Sequence, residues 1–67
     1  MSREAVFECT YASAEVVRVA HVRAWDVREA MELFADELRS DGVADGGEIW
    51  AHSRSGGKAG TTRYRAH

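Results

Sequence analysis

The apolar positions between Asp26 and Leu38 recur with a helical period. Val27, Ala30, Met31, Phe34 and Leu38 fall at i, i+3, i+4, i+7 and i+11, along one side of a 3.6-residue helix. Arg28, Glu32, Asp36 and Arg39 take the opposite side. Asp26 predicts the N-cap. Glu29, three residues on, completes a capping box in which its carboxylate reaches back to the Asp26 N–H. Asp41-Gly42 predicts the stop, because glycine supplies a left-handed residue after the last turn and Val43 can fold back on that turn.

A period of two governs the rest of the chain. In Glu4 to Tyr11, Ala5, Phe7, Cys9 and Tyr11 share one face, and Val6, Glu8 and Thr10 the other, as in a half-buried strand. Ala12-Ser13-Ala14 predicts a short connection. Glu15 to Trp25 is rich in β-branched residues and predicts a second strand, although its alternation is broken by Arg18 on one face and by His21 and Arg23 on the other. One bulge would account for the break. The small residues Ala20 and Ala24, with Val22, suit the side under the helix. That leaves Val17, Val19 and Trp25 facing away from it. Asp45-Gly46-Gly47 is a turn signal, and Glu48 to Ser53 predicts a third strand, with the inward phase of Ile49 against Trp50 open. Ser55 to Gly60 predicts a hairpin loop. Thr61 to Ala66 predicts the fourth strand, with Thr62, Tyr64 and Ala66 inward.

The element order is therefore ββαββ: a small α+β domain spanning 1–67, with one amphipathic helix on one face of a four-stranded sheet. This order resembles the β-grasp group, which includes the small immunoglobulin-binding domains of bacterial surface proteins. The resemblance implies spatial order 2-1-4-3, with the first and last strands parallel in the centre. Glu8 would then stand beside Arg63 or Arg65. The other arrangement to weigh makes strands two and three parallel neighbours joined by a right-handed crossover.

Composition narrows the setting. A chain of 67 residues makes one domain with a small core. Cys9 is its single cysteine, so no disulfide forms within the chain, and a lone thiol fits a reducing cytoplasm. No apolar run is long enough to span a bilayer, and the charged N-terminus lacks the apolar core of a signal peptide. Eight Arg against one Lys, with much Ala, Val, Gly and Asp, point to a GC-rich genome such as that of an actinobacterium or one of its phages. The net charge of −2 is uneven: residues 26–48 carry eight acids against two bases, while residues 53–67 carry four bases and no acid. An acidic helix and a basic C-terminal hairpin follow.

Candidate chemistry is sparse. Cys9 sits mid-strand on the inward face, where a thiol behaves as a small hydrophobe. The serines lie in turns or at element ends, and no catalytic motif appears, so no catalytic residues, cofactor or enzymatic activity are expected. His21, His52, His67 and Cys9 lack the close spacing of a zinc site, so no metal is expected. The stretch SGGKAG precedes a strand rather than opening a helix, which excludes a phosphate-binding loop. Two binding readings remain. In the first, Val17, Val19, His21, Trp25 and Trp50 form a protein interface on the uncovered side of the sheet, making a homodimer or gripping another protein such as a host target. In the second, Arg23, Arg54, Lys58, Arg63 and Arg65 contact nucleic acid, with aromatic rings among them to stack bases. The overall acidity opposes the second. Protein–protein contact is the expected role.

Overall fold

The computed structural model describes residues 4–66. Strands β1 (Ala5–Ala12) and β2 (Val17–Ala24) form a hairpin, helix α1 (Val27–Ser40) follows, and β3 (Gly47–Ser53) and β4 (Ala59–Tyr64) form a second hairpin. One sheet holds all four strands, every neighbouring pair is antiparallel, and α1 covers one side.

The helix begins on a side-chain cap and ends on a backbone one. Asp26 Oδ1 accepts from the Glu29 N–H at 2.8 Å, as a capping residue should. The Glu29 carboxylate accepts from the Trp25 N–H at 2.7 Å rather than from that of Asp26, so the box closes one residue earlier than expected. At the other end the Gly42 N–H donates to the Arg39 carbonyl and the Val43 N–H to that of Leu38, both at 3.0 Å, with Gly42 at φ 81°. These two bonds define a Schellman motif, which satisfies carbonyls the helix leaves orphaned.

The strand order is β2-β1-β3-β4, not 2-1-4-3. Composition explains the difference. β3 turns Ile49, Ala51 and Ser53 onto the helix, all buried, and suits an interior place. β4 carries Gly60, two threonines and Arg63 and is mostly exposed, which suits an edge. β2 and β3 do run in the same direction, since both oppose β1, but β1 lies between them. The β2–α1–β3 segment is therefore a split βαβ unit rather than a pair of adjacent parallel strands. Glu8 accordingly lies opposite His21 and His52, far from its expected place beside Arg63 or Arg65. Opposite Arg63 stands Glu48 instead.

The core joins Phe7, Cys9 and Tyr11 of β1 to Ala30, Met31, Phe34, Ala35 and Leu38 of α1, with Ile49, Ala51, Ala24 and Tyr64. Two buried tyrosines fasten the loop between α1 and β3. Tyr11 Oη donates to the Asp45 carbonyl at 2.6 Å and Tyr64 Oη to that of Val43 at 2.7 Å. Their rings meet edge to face, 5.3 Å apart. β2 pairs with β1 at eight successive positions with no bulge, so Ala20, Val22 and Ala24 do lie under the helix. β4 starts at Ala59 and ends at Tyr64, earlier at both ends than its composition suggests. Thr62 shares the helix side yet stays exposed, and Ala66 lies beyond the strand.

Candidate functional site: the open face of the sheet

The register places one residue from each strand in successive rows across the face opposite α1. In strand order the first row is Val17, Ala12, Glu48 and Arg63. The second is Val19, Thr10, Trp50 and Thr61, and the third is His21, Glu8, His52 and Ala59. Arg23 and Val6 begin a fourth. Val17 is 65% exposed, Val19 55% and Trp50 39%. Alternation settles the phase of β3: Ile49 is buried and Trp50 faces out. The apolar stretch is thus densest at β2 and reaches β3 through Trp50.

Four of the five expected interface residues, Val17, Val19, His21 and Trp50, share this face. Trp25 does not belong to a strand. It stands between β2 and α1, 55% exposed, with its backbone N–H held by Glu29.

The five expected nucleic-acid residues are not gathered into one patch. Arg23 and Arg63 lie on the open face, but at opposite ends and on opposite edge strands. Arg54 and Lys58 sit in the β3–β4 turn, where the Arg54 N–H donates to the Val6 carbonyl and the Lys58 carbonyl accepts from Ser53. Arg65 follows β4, and its carbonyl accepts from Arg39 Nε at 3.0 Å. Glu8 and Glu48 stand on the same face and balance Arg23 and Arg63 in formal charge. This balance of signs, with Glu8 between His21 and His52 and Glu48 opposite Arg63, depends on which strand neighbours β1. The alternation within Glu4 to Tyr11 was a signal that Glu8 faces outward, and the register with β2 and β3 supplies the rest.

Glu8 forms the polar centre of the face. His52 Nε2 lies 3.4 Å from Glu8 Oε1, and His21 is opposite Glu8 on the other side. Among the described residues, no three His, Cys, Asp or Glu side chains are placed to hold a metal ion. His67, the remaining histidine, lies outside the described residues.

Away from this centre, three ion pairs among the described residues involve α1 or its C-cap. Arg18 reaches Asp41 at 3.3 Å, tying β2 to the end of α1. Arg39 reaches Asp36 at 3.0 Å and stacks over the Tyr64 ring, so this ion pair forms part of the wall of an open groove between α1 and β4. Cys9 is fully buried, its Sγ 3.9 Å from the Ala30 carbonyl. Burial pushes its thiol up to about 11, and the Glu37 carboxylate adds to the rise. At neutral pH the group is a protonated thiol, a poor nucleophile.

The fold and face define a small α+β domain: an antiparallel four-stranded sheet covered on one side by a single helix. No protein-family model, no curated protein and no solved structure matches the chain. No helix among the described residues is long and apolar enough to cross a membrane.

Proposed function

We propose that this domain acts by protein–protein contact, as a homodimer, through β2 and the adjoining open face. The supporting observation is the set of large apolar side chains left uncovered there: Val17, Val19 and Trp50 on one side of one sheet. A soluble monomer gains nothing by exposing adjacent valines on an edge strand, whereas a protein interface buries them. The polar residues around them, Glu8, His21, His52 and Thr10, are the kind that rim such contacts and fix their register. A further partner, such as a protein that a small regulator would inhibit, would use the same surface.

Light scattering at micromolar to millimolar concentration tests the reading. The expected mass rises toward two chains, and Val19→Asp, which places a carboxylate among the exposed valines, returns it to one chain without unfolding the domain. A one-chain mass across that range for the natural sequence would overturn the homodimer.

A further inference from the structure

We propose that the open face is proton-gated: protons taken up by His21 and His52, on either side of Glu8, loosen the contact made through it, so that paired chains part in mildly acidic solution. This gate rests on the homodimer reading and adds its regulation.

Register puts the three side chains in one row. Glu8 is the direct cross-strand partner of His21 on β2 and of His52 on β3. Side chains so placed stand roughly 5 Å apart at Cβ, and His52 Nε2 comes within 3.4 Å of Glu8 Oε1. Glu8 is half-buried, and both histidines are exposed and open to exchange of protons with water.

The row adjoins the exposed apolar residues. His21 follows Val19 by two positions on β2, and His52 follows Trp50 by two on β3. Two positions span about 7 Å along a strand. Even a small specific interface hides on the order of 600 Å² per chain. A partner that covers Val19 and Trp50 therefore covers the histidines as well.

Charge sets the direction of the effect. Glu8 and Glu48 cancel Arg23 and Arg63 on this face. Imidazole is the side chain that ordinarily changes charge between about pH 5 and 8. Two imidazolium ions take the face from formal neutrality to a double positive charge, and a twofold contact sets two such faces together. The surrounding groups add to the excess. β2 contributes Arg23 beside His21, and the turn after β3 contributes Arg54 and Lys58 beside His52. β4 offers His52 only the uncharged Ala59, and α1 lies behind the sheet. Glu48 stands four positions from His52 along β3, and Glu4 four positions before Glu8. Four positions span about 14 Å, beyond the screening length of about 8 Å at physiological salt. Glu8 alone stands between the imidazoles, and one carboxylate cannot neutralise both. Separate chains therefore take up protons more readily than the pair does, and by linkage the pair weakens as pH falls.

Sedimentation equilibrium of the natural chain at about pH 7.5 and about pH 5.5, at constant ionic strength, tests the gate across the range where imidazole titrates. Circular dichroism at both pH values checks that the domain stays folded. The dissociation constant of the pair is expected to rise at least about tenfold at the lower pH. In the His21→Gln, His52→Gln double variant the two constants should agree within about twofold, with each single variant between. A pair equally tight at both pH values, or tighter in acid, would overturn the gate and leave the homodimer standing. Loosening that persists in the double variant would do the same, by moving the titration to another group such as His67 or the N-terminal amine. Loss of the folded signal at the lower pH would trace the parting to unfolding and also overturn the gate. A one-chain mass at both pH values would overturn the homodimer and the gate with it.

Discussion

At position 47 the start of β3 passes so close to the end of β1 that a Cβ would collide with the Ala12 carbonyl oxygen and lie 2.8 Å from Tyr11 Cε1. Neither obstacle is free to move: one is ladder backbone, and the other belongs to a ring locked by its hydrogen bond to Asp45. Gly47→Ala is expected to lower stability by about 1–3 kcal/mol, the usual range for overpacking, as read from the urea midpoint. In the sequence this glycine read only as part of a turn, because the crowding comes from a strand 35 residues earlier, from Ala12 to Gly47. Cys9 offers a second residue-level prediction. Its pKa is raised in the folded chain, so folding favours the protonated thiol. That contribution is intact below about pH 9 and declines as pH rises toward 11. Between those values the natural chain should lose stability that Cys9→Ala does not lose, a difference on the order of 2 kcal/mol between their pH profiles.

At the scale of the element, α1 was legible because everything that makes it a helix is local. Its period, its Asp26 cap and its Gly42 stop all lie within the stretch they organise. Phe34 is 2% exposed in the centre of the helix's buried face, within the cluster that includes Phe7 and Cys9. Phe34→Ala should cost roughly 3–5 kcal/mol, enough to unfold much of a domain this small, as thermal denaturation by circular dichroism would report. Asp26→Ala should cost only about 1 kcal/mol, since the helix keeps its packed face when it loses one cap. The strands were legible singly but not in their order. Alternation says which side chains share a face and nothing about the neighbour. Glu8 paired with arginine and Glu8 between two histidines are equally compatible with the same eight residues of β1.

For the whole molecule, the sheet order decides where charge falls. The uneven sequence suggested a basic hairpin facing a polyanion, yet the open face carries Glu8 and Glu48 as well as Arg23 and Arg63. Nucleic-acid affinity should therefore be weak, lost as salt rises, and little changed in the Arg63→Ala, Arg65→Ala double variant. A fluorescence titration with single- and double-stranded ligands measures it, and micromolar or tighter binding at physiological salt would favour the nucleic-acid reading instead.

The place of β1 between β2 and β3 also divides the chain into two hairpins tied by a helix and sewn along one seam. Each hairpin joins near neighbours in sequence, whereas the seam sets Tyr11 against Ile49 and Phe7 against Ser53. Closing it means ordering the helix and both flanking loops at once, so the loop-closure entropy of the fold is concentrated there. Pulse-labelled exchange during refolding should protect the β1–β2 and β3–β4 pairs before the β1–β3 pair, and a chain caught with its seam open would have a hairpin at each end free to complete the sheet of another.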